Sequence, residues 1–318
     1  MAKEKWKRLF CGAVIFCFFA ASAMYSAKGR QVLVSTIETC AKTVIPAVFP
    51  FAVLGALIGC GVAEFPSFLK RAVSAVFGVD AVGAGALLAG LFTGFPVGAS
   101  GATGLYLRGK IDKDDLCRIA AFSLTPGCTF VISGVGALMF NDIKVGVQIY
   151  LIVIISVLLV GFLTKKKKKS VEAQEKEDII YIKETPSFVL SLTEAVSKSG
   201  SAMVTMTAFI AFFSQIAFFV SEMLSVLRVP TAASTLILGL LEVTVGCGKA
   251  SALGTRAGIL CAALSCAFGG LSMQMQTAAI CAHCNVRILP IRIFFLRSLV
   301  ALCTVLIFTL ALAIGRVY

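Results

Sequence analysis

Charge is what this chain has least of. Only 14% of its 318 residues are Asp, Glu, Lys or Arg, 58% are apolar, and the mean hydropathy is +0.96. Soluble domains carry about 25% charged residues. A soluble core with a polar skin is therefore excluded. Histidine occurs once, at His283, and HExxH needs two. No Ser/His/Asp set and no paired aspartates are found, which argues against an intramembrane protease. No soluble nucleotide-binding domain exists, so the chain does not power itself by ATP. Gly246-Cys247-Gly248-Lys249-Ala250-Ser251 is only superficially a phosphate loop, because Ala stands where Ser or Thr should bind magnesium. No enzyme is expected. Disulfide spacing is also missing. The 12 cysteines, such as Cys11, Cys60, Cys128, Cys261 and Cys303, are scattered through apolar segments and read as small buried hydrophobes. Cys281-Ala282-His283-Cys284 has no second cysteine pair at zinc-finger distance, so neither a metal nor a cofactor is expected.

What is present is a net charge of +13, placed in short loops. Lys3, Lys5, Lys7 and Arg8 form one cluster, Lys70 and Arg71 another, then Arg108, Lys110, Lys113 and Arg118, then residues 165–169. Clustering between apolar runs is positive-inside topology of an integral membrane protein, and not a nucleic-acid footprint. The lysine run reads as a solvated cytoplasmic loop with some attraction to anionic lipid. At the N-terminus a basic segment, an apolar run and Ala21-Ser22-Ala23 resemble a signal peptide. The run is also nearly long enough to span, and an uncleaved first helix is favoured.

Spans follow from apolar length and orientation from Lys and Arg. Residues 1–30 form an N-terminal transmembrane helix, with its apolar stretch at 9–27. Residues 31–164 form a first membrane repeat, 165–186 a charged cytoplasmic linker, and 187–318 a second repeat. In the first repeat, 37–62 crosses with kinks at Pro46 and Pro50. Residues 81–107, split at Gly94-Phe95-Pro96, make a re-entrant hairpin. Residues 116–140 cross with a break at Thr125-Pro126-Gly127, Asn141-Asp142 turns, and 145–163 returns. In the second repeat, 187–227 holds an amphipathic start and one crossing. Residues 231–252 are a second broken stretch, 258–281 crosses with a soft point at Gly269-Gly270, and 289–314 crosses again.

The halves look alike. Residues 88–98 lie over 237–247, Glu38…Lys42 over Glu194…Lys198, Pro126-Gly127 over Gly270-Leu271, and Asn141 over Asn285. Three crossings per repeat is an odd number, so the second copy is inverted. Paired interrupted segments in inverted repeats mark transporter sites at the midplane. The fold class is an all-α polytopic membrane protein with inverted repeats and paired re-entrant hairpins. Ser133 and Thr277, at corresponding positions, should both face the protein interior.

Broken helices expose backbone groups that lipid cannot satisfy, so the breaks must face protein or water. Four should converge: Thr93, Gly94, Phe95 and Gly98; Ser123, Thr125, Gly127 and Thr129; Glu242, Thr244 and Gly246; Gly270, Ser272 and Gln274. Half-helix N-termini there would suit a carboxylate or phosphate. Glu242 is the sharpest candidate, because a mid-span carboxylate is costly and usually functional. It reads as a coupling group for a proton or sodium ion, as a ligand to the substrate, or as a helix cap or partner of Lys249 or Arg256. Ser272, Gln274 and Gln276 either line a polar cavity or bond between helices.

These segments carry a resemblance. Gly94-Phe95-Pro96-Val97-Gly98-Ala99, the basic loop 108–118, Pro126-Gly127, Leu241-Glu242-Val243-Thr244 and Phe268-Gly269-Gly270-Leu271-Ser272 resemble the YlbJ-like sporulation integral membrane proteins of the nucleoside-recognition, or gate-domain, superfamily. The likeness runs over about residues 35–314. It departs at Ser123-Leu124-Thr125 and near Val245-Gly246, where the family pattern has Asn. The superfamily is similar to concentrative nucleoside transporters. The resemblance implies endospore-forming bacteria, a mother-cell or forespore membrane, and uptake of dipicolinic acid. The expected function is secondary transport of that small organic anion. A nucleoside transporter coupled to sodium or protons, and a non-transporting assembly protein of the spore membrane, stay open. The expected partners are an anionic small molecule and membrane lipid, with no nucleic acid; homo-oligomerisation stays open.

Overall fold

The computed structural model describes residues 2–59, 65–165, 187–254 and 256–315. The described residues are helical, with α1 Ala2–Met24, α2 Ser26–Thr39, α3 Ile45–Gly59, α4 Ser67–Phe77, α5 Ala81–Thr93, α6 Val97–Leu107, α7 Lys113–Phe122, α8 Ile143–Leu163, α9 Phe188–Val226, α10 Thr231–Leu241, α11 Val243–Ala252, α12 Arg256–Phe268, α13 Gly270–Ile280 and α14 Leu289–Ala313. Among the described residues, five stretches are long and apolar enough to cross a membrane: Ser26–Leu57, Ile143–Leu163, Phe188–Val226, Arg256–Ile280 and Leu289–Ala313. The protein is an all-helical integral membrane protein. Most of the proposed linker, residues 166–186, and Cys60 lie outside the described residues.

The first crossing differs from the reading at 37–62. Helix resumes at Ser26, one residue after α1. Lys28 and Arg30 sit in α2, where Lys28 reaches Glu222 of α9 at 3.8 Å and Gly29 packs on Gln215. Pro46 and Pro50 do not break the crossing. Each lacks an N–H and pushes on the carbonyl four residues earlier. The strain is taken up by a π-helical segment, Cys40–Val44, just before them. A short helix absent from the sequence reading, α4, then meets α5 at 92°. Gly78, at φ 61°, ends α4, and the Asp80 carboxylate caps α5 by accepting the Val82 N–H at 3.0 Å.

After this start the halves share an element order. A long helix (α2–α3, then α9) is followed by two short helices packed on each other (α5–α6, then α10–α11). A broken pair (α7 and the π-helical segment Phe130–Met139, then α12–α13) and an unbroken helix (α8, then α14) complete each run. The matched Glu–Lys pairs both form, Glu38–Lys42 at 3.2 Å and Glu194–Lys198 at 2.5 Å. Asn141 and Asn285 both adopt left-handed backbone, at φ 54° and 52°. Helix α9, at 39 residues, is about 58 Å long by 1.5 Å per residue, twice a hydrocarbon core of about 30 Å.

Four single-residue expectations need correction. Arg118 is not a loop charge. It is buried, and its guanidinium donates to the carbonyls of Phe77 (2.7 Å), Gly161 (3.0 Å) and Thr164 (2.8 Å). It thereby closes the C-terminal ends of α4 and α8, where a cation complements the helix dipole. Ser133 is exposed while Thr277 is buried, because Ser133 lies in the π-helical segment, whose wider i→i+5 turn shifts the faces that α-helical spacing predicts. Cys11 is exposed and Cys128 half-buried, whereas Cys261 and Cys303 are buried.

Candidate functional site

Each hairpin is closed by the same three-part contact. On α5 and α6, Gly90 and Gly98 face each other across Ser123; a Cβ on either glycine would fall 2.3 Å from the Ser123 Cβ. On α10 and α11, Gly239 and Gly246 face each other across Ser265; a Cβ on Gly246 would fall 2.2 Å from the Gly239 Cα. The sequence alignment set Gly98 over Cys247, but the contact pairs Gly98 with Gly246. Gly90 and Gly98 are eight residues apart and Gly239 and Gly246 seven, which shifts the register by one. Small residues let helices approach closely in lipid, where packing drives association.

This contact is testable. Gly246→Ala must displace backbone and is expected to destabilise by about 1–3 kcal/mol, as overpacked cores do. Gly248 has nothing within 4 Å of its Cβ position, and Gly248→Ala is expected to be neutral or stabilising. Of the two midpoints, read by thermal denaturation of the detergent-solubilised protein, only that of Gly246→Ala should fall. Equal behaviour of the two alanines would show that hairpin closure does not depend on Gly246.

The four breaks meet. Thr93 ends α5, and its hydroxyl donates to the Ala89 carbonyl at 2.7 Å. Gly94, at φ 87°, lies against Gly127, where a Cβ would be 2.6 Å from the Gly127 nitrogen; the conformation and the contact both require glycine. The Phe95 N–H donates to the Thr125 carbonyl at 3.3 Å. In the second half, Gly270 packs on Val243 beside Glu242, its Cβ position 3.1 Å from a Val243 methyl. Gly269 packs on Leu124, which joins one half to the other. Thr129 is half-buried beside the Cys128 thiol. Ser272 accepts from Gln276 at 3.2 Å, and Gln274 donates to the Phe268 carbonyl at 3.2 Å. Apart from half-buried Thr129, these side chains are buried and bonded locally, so they do not line open space.

Glu242 takes the N-cap position of α11 with extended backbone, φ −145° and ψ 122°. It is 1% exposed, and its carboxylate accepts the Val245 N–H at 2.8 Å. The partner is thus the backbone of the half-helix itself. The N–H groups expected to hold a substrate carboxylate at this tip already face the protein's own.

Sequence reasoning missed Arg297. It is fully buried on α14 and donates to the carbonyls of Cys266 (3.0 Å) and Phe268 (3.4 Å) and to the Thr125 hydroxyl (3.3 Å). It therefore holds the broken end of α12 and ties it to the break of the first half. The signal was present, as a second arginine, after Arg292, deeper in the apolar run 289–314, but that run was read only for its length.

Open space lies beside the tips. A cavity of about 490 Å³ runs between α2, the segment Cys40–Val44, α9 and α11. Of the expected site residues, Thr244 lines it; Thr93, Gly94, Phe95, Gly98, Ser123, Thr125, Gly127, Thr129, Glu242, Gly246, Gly270, Ser272 and Gln274 do not.

No family model matches the chain, and no solved structure matches it. The chain is 24% identical over 294 residues to the Sporulation integral membrane protein YlbJ of Bacillus subtilis (strain 168), covering 81% of this chain and 71% of that one. Over most of its length the chain is thus similar to a sporulation integral membrane protein, in keeping with its own membrane-spanning helices.

Proposed function

We infer that the protein is a secondary transporter of a small organic anion, with dipicolinic acid the leading substrate, and not an enzyme. The observation that carries this is the buried meeting of two broken hairpins, one of them holding the Glu242 carboxylate. Irregular backbone at membrane depth is tolerated only inside protein or against water, and transporters use it to hold substrate. The repeated element order, the paired Glu–Lys bridges and the two glycine–glycine–serine closures support two copies of one unit. In our reading the copies are inverted, since α7 with its π-helical continuation, like α12–α13, makes a broken crossing and each half then crosses three times. The core would then resemble that of concentrative nucleoside transporters. Glu242 would serve coupling by a proton or sodium ion.

A scaffold role in the spore membrane is favoured by one observation, the tight filling of the breaks. Uptake into vesicles carrying the purified protein separates the readings. Labelled dipicolinate is expected to accumulate and labelled nucleosides are not. Accumulation of nucleoside alone would transfer the assignment to nucleoside uptake. Accumulation of neither would favour the scaffold.

A further inference from the structure

We propose that the cavity beside α11 is a carboxylate-binding site in which Lys249 selects the ligand by charge. The transport reading supplies the probe, but the site stands on its own geometry. At about 490 Å³ the space falls in the usual range of ligand sites, roughly 300–1,000 Å³. Its walls are of two kinds. Val32, Met139 and Phe218 offer apolar surface to an organic body, and Thr43, Ser214 and Thr244 offer hydroxyls. Lys249 supplies the cavity's positive charge, and among the described residues no Asp or Glu lines it.

Ser214 is the second, independent observation. It is 2% exposed, lines the cavity, and its hydroxyl has no hydrogen-bond partner among the described residues. A buried hydroxyl without a partner is costly and asks for one. A carboxylate held at Lys249 would accept that proton. A lysine in the last turn of α11 would by itself do no more than complement the helix dipole. That does not account for the hydroxyls gathered around the same space. The walls also come from both halves, and the two π-helical segments touch there, with the Gly134 Cβ position 3.1 Å from a Thr43 methyl. Thr244 lies two residues from Glu242, so an occupant of the cavity is next to the carboxylate that blocks the N–H groups of α11.

Ser221 also lines the cavity and gives the test its handle. Ser221→Cys, in the full chain reconstituted in neutral phosphatidylcholine vesicles, is labelled with an anionic and a cationic methanethiosulfonate, with the unmodified protein as the blank. The anionic reagent is expected to react at least tenfold faster relative to the cationic one. Dipicolinate should slow both, and uridine should slow neither. Adding Lys249→Gln should abolish the anion preference and weaken dipicolinate protection at least tenfold, while Lys249→Arg should keep both. Ser214→Ala should weaken protection without changing the charge preference. Unchanged preference and protection in Lys249→Gln would overturn the site, even if vesicle uptake of dipicolinate succeeds. Intact protection without uptake would overturn transport and leave the site standing. Protection by phosphatidylglycerol vesicles alone, with no solute, would assign the cavity to a lipid headgroup and overturn the solute site.

Discussion

Glu242→Gln is expected to cut dipicolinate uptake at least tenfold while leaving expression and the thermal midpoint nearly unchanged. The amide oxygen can still accept the Val245 N–H, so the cap on α11 survives. Loss of a cap altogether costs about 1 kcal/mol, and the isosteric change should cost less. What the substitution removes is the ability to hold a negative charge or a titratable proton at a site with 1% exposure. A carboxylate kept there by backbone N–H groups alone is expensive unless its charge is used. Uptake at wild-type rate by a normally folded Glu242→Gln protein would remove the charge from the mechanism and reduce Glu242 to a cap. Glu242→Ala is the companion measurement. It should lose both uptake and stability, because it removes the acceptor as well as the charge.

Arg297→Met is expected to be the most destabilising single change in α14, by about 3 kcal/mol or more. Its guanidinium donates to two carbonyls at the end of α12 and to Thr125, all buried. Methionine fills much of the space but offers no donor, and hydrogen bonds to a charged group contribute about 1.5–3 kcal/mol each. Gln274 still reaches the Phe268 carbonyl, so that group keeps one partner and the Cys266 carbonyl loses the arginine. Arg292→Met is the control. Arg292 lies five residues earlier and pairs with Asp114 at a partly exposed site, where ion pairs are worth about 0–1 kcal/mol. The comparison is made by thermal denaturation in detergent. A midpoint for Arg297→Met no lower than that of Arg292→Met would mean that the broken ends are held by packing alone.

The breaks were legible because they are local. Gly94-Phe95-Pro96 and Gly269-Gly270 interrupt apolar runs, and the structure ends helices there, α5 at Thr93 and α12 at Phe268. Lipid leaves backbone groups no partner but the helix itself, so a residue that cannot continue the helix shows in the sequence. The ion pairs Glu38–Lys42 and Glu194–Lys198 were legible for the same reason, being one helical turn apart.

The membrane location, the helical class, the four breaks and the repeat of their order were thus set by composition and local spacing. The rest was decided by which surfaces meet. Nothing in the spacing says that Ser123 closes one glycine pair and Ser265 the other, since those contacts span 25 and 19 residues from Gly98 and Gly246. Nothing says that Arg297 and Thr125, 172 positions apart, share a hydrogen bond. Which N–H groups Glu242 satisfies, and whether open space lies at the breaks or beside them, follow from how closely the hairpins pack. Close packing is a property of surfaces brought together from distant parts of the chain. That is why the sequence pointed to the tips, while the tertiary structure put the cavity at Thr244 and Lys249.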